Sequence, residues 1–99
     1  IAEIMAMDDL GFFPRGKSAD FIRRKKTTLG FGCPVVNTSG GLKAAGHPVG
    51  ATGVKQIVEI YRQLKGVAGN KQVKNAKTGL THNVGGSGAT AVIHILQKD

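Results

Sequence analysis

Tryptophan is absent from this chain, aromatic residues make up only 5% of it, and a single cysteine, Cys33, occurs in 99 residues. One cysteine excludes an internal disulfide framework and fits a reducing compartment, so a cytoplasmic location is expected. With no paired cysteines and no ligand spacing among His47, His82 and His94, no metal is expected either. No apolar run approaches the ~20 residues that a membrane-spanning helix needs, so no membrane partner is expected. Acidic residues are scarce: six Asp and Glu stand against fourteen Lys and Arg, a formal charge of +8. The basic residues gather in residues 15–26 (RGKSADFIRRKK) and 65–77 (KGVAGNKQVKNAK). Such a surface suits phosphate groups or an acidic partner, although a charge run is more often a solvated face. No zinc module and no stacking pair of aromatics accompanies these clusters, so a nucleic-acid partner is not expected and a basic nucleic-acid-binding fragment is the minor alternative.

What is present is the composition of one globular domain or a piece of one, 40% hydrophobic and 20% charged. A chain this short holds one small core and is expected to lean on partner surfaces. The opening run IAEIMAMDDLGFF reads as an amphipathic helix with Ile1, Ile4 and Met5 on one side, as if the chain began inside an element. The closing run AVIHILQKD reads as a strand passing into a short polar tail. An upstream part is therefore expected to be missing, and with it any targeting leader.

Gly11 is placed to end the first helix, and Ser18 to cap a short second one through Ile22. Residues 34–36 read as a short strand that opens into a loop over residues 37–46, rich in glycine and small polar residues. Pro48 suits a first helical turn, and Val54, Ile57, Val58, Tyr61 and Leu64 fall at helical spacing up to a stop at Gly66. A polar connection over residues 71–77 then leads to GLTHNV and ATAVIHIL, which flank GGSG as a hairpin. Alternation puts Ala91, Ile93 and Ile95 on one face and Thr90, Val92, His94 and Leu96 on the other.

The chemistry is expected at His47. A histidine at a helix start lies near the positive end of the dipole, which disfavours the imidazolium and leaves a neutral ring. Such a ring can take a proton from a thiol and can donate its N–H to a developing oxyanion. Gly40, Gly41, Gly46 and Gly50 would let backbone approach a bulky ligand closely. On chemistry alone, a turn histidine beside a proline is an equal reading.

Residues 37–53, NTSGGLKAAGHPVGATG, resemble the thiolase signature in which N-x-x-G-G leads into G-H-P-x-G-A-T-G. IAEIMAMDDLGFF is similar to the helix after the H-D-C-F segment of sterol-carrier-protein-type and archaeal thiolases, and THNVGGSGATAVIHIL to their last hairpin. The resemblance implies an α/β chain, residues 1–99 forming part of the C-terminal half-domain of the layered αβαβα thiolase fold. It implies catalysis by His47, which activates a nucleophilic cysteine and helps to bind a thioester oxyanion, and a second oxyanion donor at the amide of Gly85 or Gly86. Ser39, Gly40 and Gly46 would touch the coenzyme A thioester, which is a substrate; no separate cofactor is implied. His82 resembles the histidine that replaces the cysteine of the C-x-G motif in the sterol-carrier-protein branch; whether it exchanges protons or only shapes the pocket is open, and a hydrogen-bonded strand histidine is the alternative. The nucleophile belongs to the family's N-terminal half, so Cys33 is read as a buried or bystander thiol and His94 as a packed strand histidine. Implied partners are an acyl-CoA, the rest of the thiolase chain, a second copy in a homo-oligomer and other acyl-CoA proteins in a complex. The intact protein would be an acetyl-CoA C-acetyltransferase making or cleaving β-ketoacyl-CoA, acetoacetyl-CoA above all, with these residues alone inactive. A lipid-transfer or assembly subunit of the same fold is the first alternative, ahead of the nucleic-acid-binding fragment.

Overall fold

The computed structural model describes residues 1–99, which form two units, Ile1–Thr38 and Ser39–Asp99. In the first unit, helix α1 (Ala2–Asp9) ends where expected, because Gly11 takes φ 74°. The amides of Gly11 and Phe12 then return to the carbonyls of Asp8 and Met7 at 3.2 Å each. The buried side is not the expected one. Met7 is 3% exposed, whereas Ile1 and Met5 lie open, because α1 rests on α2 (Ser18–Arg23) through its last turn.

Ser18 is the first residue of α2 rather than its cap, and it is completely buried. The capping group is Asp8 of α1. Its carboxylate accepts the Ser18 hydroxyl, the Ser18 amide at 3.3 Å and the Gly16 amide at 3.1 Å. These are donors at and just before the helix start that no local side chain reaches. Phe13 and Phe21 stack across the same junction with ring centroids 4.2 Å apart.

The Ser18 hydroxyl holds the Asp8 carboxyl below its ordinary value of 3.8, helped by the Ser18 and Gly16 amides and opposed by desolvation. A pKa lowered in the folded chain contributes stability that is present above the ordinary value and lost as pH falls through the folded one. Asp8→Ala should therefore lower the melting temperature at neutral pH and shrink the further drop between about pH 6 and about pH 3. Thermal unfolding followed by circular dichroism at both pH values checks this.

Residues 34–36 do not form the expected strand. A strand needs a ladder. This segment is held instead by the Val36 amide on the Thr27 carbonyl at 3.0 Å, with no neighbouring strand in its unit.

The expected loop over residues 37–46 passes from the first unit into the second, where it contains a five-residue helix, α3 (Gly41–Ala45). Helix α4 (Thr52–Lys65) begins after a turn at Val49 and Gly50. It stops at Gly66, φ 74°, where the amides of Gly66 and Val67 bond the Gln63 and Arg62 carbonyls. The expected hairpin is present: β1 (Thr78–Gly85) pairs antiparallel with β2 (Thr90–Gln97), Thr81 opposite His94 and His82 opposite Ile93.

α4 packs on β1. A Cβ on Gly79 would lie 2.4 Å from Ile60 Cγ2, and one on Gly53 would lie 2.8 Å from Asn83 Nδ2. Strand alternation therefore turns Gly79, Thr81 and Asn83 toward the helix. Thr81 is 4% exposed at the centre of this contact. Leu80, His82 and Val84 then point to the other face of the sheet. Of the apolar stripe on α4, Leu64 is buried, whereas Val54, Val58 and Tyr61 are open, because the sheet meets the side carrying Gly53, Gln56 and Ile60.

The polar connection is more ordered than its composition suggests, with a 3₁₀ turn at Gly69–Lys71. Gln63 donates to the Lys71 carbonyl at 2.7 Å and accepts the Val73 amide at 2.8 Å. Gln72 accepts the Ala68 amide at 3.0 Å and donates to the Gln63 and Val73 carbonyls. Gln72→Ala strips partners from several half-buried backbone groups, so a loss of about 1–3 kcal/mol is expected in denaturant unfolding.

Candidate active site

His47 lies ahead of α4 rather than in its first turn. Pro48 begins a turn whose carbonyl accepts the Ala51 amide at 3.0 Å and the Thr52 amide at 3.2 Å. Gly50, at φ 86°, cannot continue a right-handed helix. The helix starts only at Thr52. The ring is tied back to it nonetheless: His47 Nδ1 lies 2.6 Å from Thr52 Oγ1. Thr52 is 4% exposed and its hydroxyl also lies 3.4 Å from the Pro48 carbonyl. His47 itself is exposed, so a buried hydroxyl fixes one ring nitrogen while the other edge faces outward. A ring held this way can accept a proton at Nε2 or donate one from it.

The glycine-rich segment around it has local structural duties. Gly40, φ 86°, precedes α3, and a Cβ there would stand 2.5 Å from the Ala44 Cβ. Gly46 closes α3 at φ 80°, donating its amide to the Leu42 carbonyl at 2.8 Å. The Ser39 hydroxyl donates to Glu59 of α4 at 3.0 Å, and Glu59 lies 3.8 Å from Lys55 Nζ. Ser39 thus anchors the start of the segment to the helix that also holds His47.

The hairpin candidates stand elsewhere in the unit. His82 is half-buried on the face of β1 turned away from α4, and its carbonyl accepts from Gln56 Nε2 at 3.4 Å. Gly85 ends β1 and Gly86, φ 59°, opens the turn to β2. The ring of His82 and the ring of His47 share no bonding partner. Asn83, which no motif in the sequence marks, is the strand residue whose side chain approaches the start of α4. Its sequence signal is Gly53: a glycine inside a helix disfavours the helix by ~1 kcal/mol and marks a close neighbour.

One further expectation is corrected and another narrowed. His94 is exposed, not packed, with its Nδ1 3.4 Å from the Thr81 hydroxyl, because nothing in the unit covers the β2 end of the sheet beyond α4. Cys33 is free and exposed, which removes the buried one of its two readings and leaves the bystander thiol. No three His, Cys, Asp or Glu residues come together, and no helix is long and apolar enough to cross a membrane.

A mixed α/β chain with a glycine-flanked histidine held against a helix start, and a match to the thiolase C-terminal domain-like family over residues 1–98, defines the class: this chain belongs to that family. It is 47% identical over 95 residues to an acetyl-CoA acetyltransferase of Methanothermobacter thermautotrophicus, covering 96% of this chain and 24% of that protein. It is 46% identical over 100 residues to one from Methanocaldococcus jannaschii, covering 94% and 25%. Sterol carrier protein 2 of Gallus gallus is 45% identical over 92 residues, 93% of this chain and 17% of that protein. The chain thus spans about a quarter or less of the curated relatives it matches.

Proposed function

We propose that these residues supply the histidine-bearing part of a coenzyme A-dependent thiolase, an acetyl-CoA C-acetyltransferase that makes or cleaves acetoacetyl-CoA. The observation that carries this reading is His47: an exposed imidazole, anchored by Thr52, inside G-H-P-x-G-A-T-G in a chain of the thiolase C-terminal domain-like family. In the cleavage direction His47 takes the proton of a cysteine thiol supplied by the rest of the protein. The thiolate attacks the keto carbon of acetoacetyl-CoA and acetyl-CoA leaves as its enolate, which is protonated. Free coenzyme A then releases the acetyl group from sulfur. The His47 N–H binds the enolate oxygen, and the amide of Gly85 or Gly86 binds the tetrahedral oxyanion. Ser39, Gly40 and Gly46 border the thioester, and His82 lines or serves the acyl pocket. Coenzyme A thioesters are the substrates and no separate cofactor is needed. The open apolar residues Val54, Val58, Tyr61, Ile93 and Ile95 support assembly with the rest of the thiolase chain, with a second copy and with other acyl-CoA proteins.

The test is thiolysis of acetoacetyl-CoA by the full-length protein, read as acetyl-CoA formed. The names of two relatives, sterol carrier protein 2 and the non-specific lipid-transfer protein-like 2 of Caenorhabditis elegans, favour a second reading as a lipid-transfer subunit. Lipid movement between vesicles with no thiolysis would select it.

A further inference from the structure

We infer that Thr52 is the positioning residue of His47 and that its single hydroxyl proton sets which job the ring performs; this rests on the thiolase reading above. The Thr52 hydroxyl has one proton and two acceptors in reach, His47 Nδ1 at 2.6 Å and the Pro48 carbonyl at 3.4 Å. When the proton goes to Nδ1, the neutral ring carries its hydrogen on Nε2, and Nε2–H is a donor for an oxyanion. When the hydroxyl turns to Pro48, Nδ1–H donates to Oγ1 and Nε2 is a bare lone pair, a base. If Nε2 then takes a thiol proton, the S–H electron pair stays on sulfur and the positive charge on the ring. Nδ1–H continues to donate to Oγ1, and the hydroxyl keeps donating to the Pro48 carbonyl. All three ring states therefore keep a bonded Nδ1 with no heavy atom moving.

A carboxylate in this place would hold only the Nδ1–H forms, since an ionised carboxylate accepts and cannot donate. A hydroxyl does both. The position is also enforced: Thr52 is 4% exposed in the first turn of α4, so its rotamer is held by packing while His47 is exposed and has this bond as its anchor. Losing the hydroxyl frees the ring to turn and to choose its tautomer in solvent.

The experiment compares Thr52→Val, Thr52→Ser and His47→Ala in the full-length protein, assayed by acetoacetyl-CoA thiolysis, with ¹⁵N-histidine spectra of each. Valine keeps the shape and removes the proton; kcat should fall about 100-fold with KM changed less than about threefold, as for a misplaced catalytic group. Serine restores the hydroxyl and should bring kcat back to within about threefold of the parent. The His47 Nδ1 signal, assigned by its loss in His47→Ala, should show a hydrogen-bonded nitrogen in the parent and in Thr52→Ser but not in Thr52→Val. A folded Thr52→Val protein with parental kcat, or a serine variant as slow as the valine one, overturns the inference. If the parent shows no thiolysis, or His47→Ala leaves it intact, the thiolase reading falls instead. The Nδ1 signal then still decides whether Thr52 holds the ring, and an Nδ1 that is not hydrogen-bonded in the parent refutes the pairing even if the valine variant fails to fold.

Discussion

His47→Ala in the full-length protein is expected to lower kcat for acetoacetyl-CoA thiolysis by about 1,000-fold, within the range that general acid–base catalysis supplies. The size follows from the two tasks proposed above for this one ring. Removing it leaves the thiol without a base and the enolate oxygen without a donor, and the second deficit alone typically costs about 100-fold or more. The protein should remain folded, because His47 is exposed and only its Nδ1 is engaged. KM for the thioester should change far less than kcat, since the missing interactions strengthen in the transition state rather than in the bound substrate. A loss confined to KM would place His47 in binding rather than in chemistry, and the circular dichroism spectrum separates either outcome from unfolding.

The features that were legible in the sequence are those written in a period. α4 follows from Val54, Ile57, Val58, Tyr61 and Leu64 at helical spacing with Gly66 as the stop, and the hairpin from alternation around GGSG. His47 stands out on a different ground, the likeness of G-H-P-x-G-A-T-G to the thiolase signature; what the fold adds is that Gly46 and Gly50 take the positive φ that the end of α3 and the turn before α4 require. What could not be read depends on residues far apart in sequence. Asp8 caps α2 from ten residues away, and nothing near Ser18 in the chain announces it. Gln63 and Gln72 bond backbone groups that only the folded connection brings within reach. The strand expected at residues 34–36 failed for the same reason, because pairing is a property of the partner and not of the segment. The distance between His47 and the start of α4 was misjudged locally: Pro48 suits a helix start, but Gly50 at φ 86° interrupts it and moves the start to Thr52.

Gly79→Val is expected to cost about 1–2 kcal/mol in denaturant unfolding. Taken alone, valine in a strand interior should help by roughly 0.5–1 kcal/mol, because glycine loses the most backbone freedom on folding. Overpacking opposes it at about 1–3 kcal/mol. The clash wins here because the added Cβ would lie 2.4 Å from Ile60 Cγ2 and 3.0 Å from Cδ1. Ile60 is β-branched and seated between helix and sheet, with little freedom to turn. Gly53→Ala makes the contrasting case. Its Cβ would meet only the end of the Asn83 side chain, at 2.8 Å from Nδ2, which can swing aside. In exchange α4 gains up to ~1 kcal/mol of helix propensity. The decisive measurement is a double-mutant cycle. Ile60→Ala removes Cγ2 and Cδ1 and leaves the Ile60 Cβ 3.4 Å from the new one, an ordinary contact. Gly79→Val should then cost less in the Ile60→Ala background than in the parent, by about 0.5–3 kcal/mol of coupling. Strict additivity would mean that β1 and α4 do not approach at Gly79, and with that the orientation of Asn83 toward the start of α4 and of His82 away from it would have to be reversed.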